Sequence, residues 1–390
     1  MIAESMPSVG GIILAFVFAG IIILLWVLFV YLPRWTRPDI YFGVTVRPEF
    51  RNTPQGKQIQ RRYRRHVAFH SLIGLAMVAG SLLVPSTSAW SMALLLTGLF
   101  YQFVGHIAAL VAARRVVLGY AAAPASVREA LLQPRQCTLP GRWWWLGPPV
   151  ILLGFAIYLG LRWDDIPARV PTHWGLRGLP DAWAKRTVPT VFMTIVTGFV
   201  FWAILFAVAA SLPRFTRRIA SRGAPAEREQ RFMRITQWIG LSFAYWLAAA
   251  MGTLGLLPLL VGAKQALPTW FYWAIGFELV FVVITILVLA RSGQGGWRLD
   301  PVSGGTAEIG EPTDTPPVGD GTPDAAWKLG LFYYNPDDPA LLVEKHFGIG
   351  WTLNCGRPAV RLILLVILLG FLLLLLSSIV PILFSLVARR

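Results

Sequence analysis

The side chains best suited to bind a ligand are concentrated in residues 162–187, a short segment between two long apolar runs. His173 supplies an imidazole, and its neighbours supply indole and carboxylate groups. Pro167 and Pro171 fix their backbone and disfavour helix, so we predict an ordered cap. The predicted ligand-binding residues are Ile166, Pro167, Pro171, His173, Trp174, Gly178, Pro180, Asp181, Trp183 and Lys185.

Three interpretations of these residues stay open. His173 and Asp181 could hold the cap in shape through hydrogen bonds to the loop backbone, or the cap could bind an extracellular peptide or a small ligand. A metal site would have to use Asp164, Asp165, His173 and Asp181, whose spacing matches no recognised ligand set. We therefore predict no metal and no cofactor.

Glu278 is the second candidate, because no other acidic residue lies inside a predicted membrane span. An ionised carboxylate near mid-membrane is costly unless it is paired or protonated. The polar residues of other spans that could pair with it are Gln102, His106, Gln237 and Tyr245. A structural hydrogen bond between helices and a path for ions or protons are both open.

The composition indicates a membrane protein. Of the 390 residues, 56% are hydrophobic and only 14% are charged, whereas about 25% are charged in soluble domains. The net charge of +16 comes largely from three short loops. The tendency of basic loops to face the cytoplasm explains this charge, so we predict no direct nucleic-acid partner.

We predict an all-α polytopic fold of about eight transmembrane helices, with a short ordered outer loop and a small cytoplasmic C-terminal module. A helix needs about 20 apolar residues to cross a bilayer. The predicted spans are residues 9–32, 67–84, 90–112, 145–161, 188–212, 235–260, 269–290 and 359–387.

The loops between these spans predict the orientation. Nine Lys or Arg residues lie in 33–66, five in 113–144 and seven in 213–234, whereas the alternate loops hold fewer or offset them with Asp. We therefore predict a multi-pass membrane protein, with the N-terminus and residues 162–187 outside the cytoplasm.

This orientation divides the chain into successive segments. The predicted segments are the first helix (1–32), a basic cytoplasmic loop (33–66), a bundle of spans 2–7 (67–290), a disordered acidic linker (291–326), the module (327–358) and the last helix (359–390). The loop contains a predicted short strand, 41–46. Its basic end leads into the second span and is either a solvated helical extension or a surface for anionic lipid or an acidic protein. We expect short strands in the module, with a turn at 335–339.

Two segments resemble known families. The cap resembles domain of unknown function 1648, a bacterial membrane family that includes the SdpI-type immunity and signalling proteins. The matching residues are Ile166, Pro167, Pro171, Thr172, His173, Trp174, Gly178, Pro180, Asp181, Trp183 and Lys185. The sequence departs from the pattern at Gly175-Leu176 and at Trp163-Asp164. The module resembles domain of unknown function 5808, through 327–330, 334–339 and 350–354.

The first resemblance implies a non-enzymatic immunity or signalling protein of the bacterial plasma (inner) membrane. In that role the outer cap would sense or block an extracellular peptide, while the inner loops and the module would engage a cytoplasmic regulatory protein, with membrane lipids around the helices. A transporter or exporter that uses Glu278 is the alternative. An intramembrane enzyme has no support, because no acid pair, metal motif or nucleophile with a base is apparent in the spans.

Overall fold

The computed structural model describes residues 9–85, 89–122, 139, 141–174, 180–215, 226–260, 269–299, 318–319 and 322–369. The helices are α1 (Val9–Trp35), α2 (Pro54–Ser81), α3 (Ala89–Val117), α4 (Gly147–Leu161), α5 (Val188–Phe215), α6 (Ala226–Gly255), the short α7 (Leu257–Leu260), α8 (Thr269–Ser292) and α9 (Pro358–Leu369). Four antiparallel hairpins contain the strands β1 (Ile40–Tyr41) and β2 (Val44–Thr45), β3 (Arg169–Trp174) and β4 (Pro180–Lys185), β5 (Trp327–Lys328) and β6 (Phe332–Tyr333), and β7 (Leu342–Glu344) and β8 (Trp351–Leu353).

The predicted all-α polytopic fold is confirmed. Within the described ranges, six helical stretches are long and apolar enough to cross a membrane, namely Gly10–Trp35, Trp90–Tyr120, Arg142–Leu161, Val188–Pro213, Arg228–Leu260 and Gly276–Gly296. The second predicted span forms the apolar half of α2, which is not among the six. The eighth begins as α9, and its remainder lies outside the described residues.

Helix α2 joins the basic loop directly to the bundle. Thr53 caps its first turn by accepting a hydrogen bond from the Gly56 amide at 3.1 Å, and Pro54 suits the first helical position. The predicted helical lead is thus continuous with the apolar half. Gly74 approaches α3 so closely that a Cβ there would lie 3.1 Å from the Gly98 carbonyl oxygen, the close backbone approach that small residues permit in membranes.

The long helices form two groups of three. Helices α1, α2 and α3 share apolar clusters that include Ile22, Val78 and Leu95 near one end and Phe29, Val67 and Leu110 near the other. Helices α4, α5 and α6 share a further cluster, which includes Leu152, Ile195 and Ala248. In a fourth cluster, Trp145 just before α4 packs with Ala209 of α5 and Leu241 of α6. Helix α8 contacts both α1 and α6. It therefore lies where the two groups meet.

The first loop folds as a tight hairpin, where the sequence predicted a single strand over 41–46. Ile40 pairs with Thr45 and Tyr41 with Val44. The chain turns at Phe42 and Gly43, whose φ angles are 49° and 74°. Glycine adopts positive φ without steric cost, and this freedom allows the reversal. Phe42 is fully buried, so its side chain contributes to the core that holds the turn in place.

The C-terminal module, defined here as residues 322–357, has the expected short strands. Asn354 lies at its centre, where its side-chain amide donates to the carbonyl oxygens of Asn335, Asp338 and Ala340 at 2.8–3.2 Å. Asp338 accepts hydrogen bonds from the Tyr333 hydroxyl at 2.8 Å and from the Ala340 amide at 3.0 Å. The predicted turn at 335–339 is therefore held by a buried polar network.

The module packs against the β1–β2 hairpin and the end of α3. Arg114 is buried and donates hydrogen bonds to the carbonyl oxygen of Gly43 and to those of Asp324 and Trp327, the latter two at 2.9 and 3.1 Å. Asp324 in turn accepts from the backbone amide and the hydroxyl of Thr45, each at 3.1 Å. Three segments far apart in sequence are thereby fixed together.

The segment predicted as a disordered linker is structured at both of its ends. Gln294 is buried, accepts from the Arg37 amide at 3.0 Å and donates to the Lys345 carbonyl oxygen. At the other end, Thr322 is buried and Asp324 makes the contacts given above. The middle of the segment, 300–317 and 320–321, lies outside the described residues.

Helix α6 links the two ends of the molecule. Near its start, the Phe232 ring lies 5.4 Å from the Trp351 ring of the module. Toward its other end, Ala248 shares a cluster with Ile166 and Val170 of the β3–β4 hairpin. Because the helix rises about 1.5 Å per residue, these contacts are about 24 Å apart along its axis. We call the two regions the module end and the hairpin end.

Replacing Gly43 by alanine should weaken the module end. The positive φ of Gly43 penalises any side chain by about 1–2 kcal/mol. A Cβ would also lie 3.1 Å from the Gly330 oxygen and 3.3 Å from the Arg114 guanidinium. We expect Gly43→Ala to lower the thermal unfolding temperature of the purified protein, measured by tryptophan fluorescence.

Gly119→Ala is the matched control, because a Cβ at Gly119 meets nothing within 4 Å. The two alanine variants should therefore differ clearly in unfolding temperature. Equal unfolding temperatures would show that the turn at Gly43 is not under the constraint described here.

Candidate functional site

The predicted cap is a two-stranded hairpin at the start of α5. Arg169 pairs with Lys185 at its base, Pro171 pairs with Trp183, and Trp174 pairs with Pro180 near the turn. The register shifts between Pro171 and His173 and again before Trp174, as in a bulge that redirects side chains. Residues 175–179, which include the predicted Gly178, lie outside the described residues.

The base of the hairpin is anchored by apolar burial. Ile166 and Val170 are buried in a cluster with Leu159, Val191 and Ile195. Burial of an aliphatic side chain contributes about 1.5–3 kcal/mol. Pro171 is buried as well. Of the predicted ligand-binding residues, Ile166 and Pro171 therefore hold the cap on the helices.

Several polar side chains of the hairpin are exposed. His173 and Lys185 are exposed, together with Arg169 and Thr172. Four further predicted residues are half-buried, namely Pro167, Trp174, Pro180 and Trp183. Asp181 lies in β4, and its side chain lies outside the described part of the structure. The described site residues therefore lie in the hairpin or just before it, and the hairpin combines a buried base with exposed polar side chains.

Arg186 fastens the end of β4 to the segment just before β3 and was not among the predicted site residues. Its guanidinium donates to the carbonyl oxygens of Trp163 and Ile166, both at 2.8 Å, and lies 5.3 Å from the centre of the Trp163 ring. Trp163 also stacks on Phe192 at 6.4 Å. Sequence reasoning missed this role, because both acceptors of Arg186 are backbone carbonyl oxygens.

Asp165, one of the residues considered for a metal site, forms an exposed ion pair instead. Asp165 pairs with Arg162 at 3.0 Å, and both side chains are more than half exposed. Across the described part of the chain, no group of three His, Cys, Asp or Glu residues could hold a metal ion.

Gln102 and His106 form a buried polar network with Ser71 inside the α1–α3 group. The Ser71 hydroxyl lies 3.0 Å from His106 Nε2 and donates to the Val67 carbonyl oxygen at 2.9 Å. The Gln102 amide donates to Ser71 at 3.0 Å and to the Ile22 carbonyl oxygen at 2.8 Å. Sequence reasoning missed Ser71, whose hydroxyl connects the other two side chains.

Glu278 is separate from this network. Two neighbours on α8 show which way it faces, since Leu279 lies against Gly20 of α1 and Phe281 stacks on Phe243 of α6 at 6.0 Å. Successive residues of an α-helix are rotated by about 100° around its axis, so Glu278 points between the direction of α1 and the direction of α6. Its carboxylate has no hydrogen bond or ion pair with any residue in the described ranges.

The predicted partners of Glu278 are occupied elsewhere. Besides the network around Ser71, Gln237 donates to the Ala209 carbonyl oxygen at 3.1 Å. The Tyr245 hydroxyl donates to the Trp144 carbonyl oxygen at 2.8 Å. The structure therefore does not join Glu278, Gln102 and His106 into one polar site.

The fold and the apolar helices define a multi-pass integral membrane protein. Residues 150–199 match the family model of a domain of unknown function, DUF1648, and residues 336–361 match a family of unknown function, DUF5808. The first match covers most of α4, the hairpin and the start of α5, and the second covers β7–β8 and the start of α9. Both predicted resemblances are confirmed over these residues. No curated protein and no solved structure matches the chain.

Arg186→Ala should loosen the hairpin without unfolding the bundle. The variant loses two hydrogen bonds from a charged donor, each worth about 1.5–3 kcal/mol, and a cation–π contact worth about 0.5–1 kcal/mol. We expect faster hydrogen exchange at the backbone amides of β3 and β4, measured by mass spectrometry.

Arg169→Ala is the control, because Arg169 lies at the same base with an exposed side chain. Its exchange should match the wild type. Unchanged protection of both strands in Arg186→Ala would contradict the role given to Arg186.

Proposed function

We propose that this membrane protein senses or blocks an extracellular agent at the β3–β4 hairpin and engages a cytoplasmic regulatory protein at its module end. In this immunity or signalling role the hairpin lies outside the cytoplasm and the C-terminal module inside. The charge of the loops supports this orientation, because the basic loop 33–66 belongs to the module end. The role requires no catalytic group.

The observation that carries the proposal is the position of α6 between the two elements. The hairpin packs on α6 through the cluster around Ala248, and the module packs on the same helix through Phe232. A displacement of α6 caused by binding at one end would therefore reach the other. Such coupling requires a ligand that binds two arrangements of the helix with different affinity.

The hairpin is suited to a peptide ligand. It is a two-stranded sheet, and no third strand pairs with it among the described residues. An extended peptide can add to an open sheet edge through backbone hydrogen bonds. The exposed His173, Lys185 and Arg169 favour a peptide with acidic groups or a free carboxylate.

The module offers a surface for a protein partner. Leu329, Phe332 and Tyr334 are 51%, 54% and 44% exposed on and beside the β5–β6 hairpin. Leu329 also has a φ of 56°, a conformation that costs a residue with a side chain about 1–2 kcal/mol. Exposed apolar side chains grouped in this way are typical of interaction sites.

The decisive experiment separates the two ends in cells challenged with a secreted membrane-active peptide. We expect His173→Ala/Lys185→Ala to lose protection and peptide crosslinking, since each charge-assisted hydrogen bond lost weakens binding by roughly tenfold or more. Leu329→Ser/Phe332→Ser should still crosslink the peptide but fail to retain a cytoplasmic partner during purification.

Arg162→Ala is the control at the hairpin end, because its exposed side chain lies outside the two strands. Full protection by the hairpin double variant would refute the sensing role. Labelling of a cysteine at position 173 only from the cytoplasmic side would refute the orientation.

A further inference from the structure

The first turns of α2 carry a row of exposed cations. Lys57, Arg61 and Arg65 are spaced four residues apart on one side of the helix, with Arg62 beside them, and all four are exposed. The opposite side is buried, since Tyr63 is 2% exposed and donates to the Phe29 carbonyl oxygen at 3.0 Å. The helix therefore presents one basic face to its surroundings.

These cations are not neutralised by any residue that the structure describes. Helix α2 contains no Asp or Glu, and none of the four side chains forms an ion pair with the described residues. Arg115 of α3 adds a further exposed cation at the same end. Ile59 of α2 and Ala113 of α3 belong to one apolar cluster, which places this part of α3 beside the start of α2. The face is a concentrated positive surface that needs counter-charges.

The position of the face along the helix points to lipid headgroups. One turn after Arg65 the exposed positions become apolar, with Phe69 and Leu72 at 59% and 57% exposure. From Val67 to Ser81 the helix extends only about 22 Å, whereas the hydrocarbon core is about 30 Å thick. A short apolar segment draws its flanking residues to the interface, so the arginines lie at the depth of the phosphates.

We propose that this α2 face binds the phosphate groups of anionic phospholipids in the leaflet at the module end. Arg61 and Arg65 are the central residues, and Lys57, Arg62 and Arg115 enlarge the positive field. Lipid fits better than an acidic protein, because the row continues without a break into side chains that contact the hydrocarbon, where a soluble partner cannot reach. This site is separate from the hairpin and from the exposed edge of the module.

The test uses the full-length protein in phosphatidylcholine vesicles that contain a trace of spin-labelled phosphatidylglycerol or spin-labelled phosphatidylcholine. Electron paramagnetic resonance measures the fraction of each lipid that the protein immobilises. We expect the wild type to prefer phosphatidylglycerol and Arg61→Gln/Arg65→Gln to lose most of this preference, up to about fivefold for each arginine. High salt should reduce the wild-type preference in the same way.

Two controls assign the result to the face itself. Arg162→Gln/Arg169→Gln removes the same charge from the hairpin end and should keep the wild-type preference. Arg61→Lys/Arg65→Lys retains the charge and should keep most of the preference for phosphatidylglycerol. If the glutamine pair does not fold, this lysine variant and the salt titration decide between the outcomes. Equal immobilisation of both lipids by the wild type, or an unchanged preference in the glutamine pair, would overturn the proposal. Displacement of phosphatidylglycerol by soluble polyglutamate would assign the face to an acidic protein instead.

Discussion

The module end depends on one buried cation, Arg114. Its guanidinium fills the space between two turns with positive φ, Phe42-Gly43 and Leu329-Gly330, and is satisfied by backbone carbonyl oxygens from both sides. A Cβ on Gly43 or Gly330 would lie about 3 Å from Arg114 or from the facing backbone. The arginine therefore needs both glycines, because a side chain at either position would occupy the space beside its guanidinium. In return, the turns supply the carbonyl oxygens that Arg114 needs, because an unpaired buried charge costs several kcal/mol. This mutual requirement fixes the module on α3.

The end of α1 is completed by groups from other segments. The last carbonyl oxygens of a helix have no partner inside it. Here Arg51 donates to the Pro33 and Arg37 oxygens, while Trp297 and Arg298 donate to those of Trp35 and Arg34. Burial lowers the pKa of Arg51 to about 10, so Arg51 stays charged at neutral pH. The first loop and the segment after α8 are thus joined to the same helix end.

The elements that were predictable are those that follow from local composition. Apolar runs predicted the spans and turn residues predicted the module strands, because both depend on neighbours in sequence. The roles of Arg114 and Arg186 could not be predicted, since their acceptors are carbonyl oxygens that tertiary contacts bring near. Composition also misled at 291–299. Gly295 there has a φ of 59° and leaves space for the Glu344 carboxylate, so the glycine serves close packing and not disorder.

The two ends of α6 are built from interactions of different kinds, and this difference bears on the proposed signalling role. At the hairpin end Ile166 and Val170 make non-directional apolar contacts, which tolerate small shifts. At the module end α6 packs closely against Gly296, and Gln294 beside it makes directional hydrogen bonds, which are lost within a fraction of an ångström. A small movement of α6 would therefore cost little where a ligand binds and would be felt most at the module. Because coupling between two binding sites is reciprocal, a ligand at the hairpin and a partner at the module would each change the affinity for the other through α6.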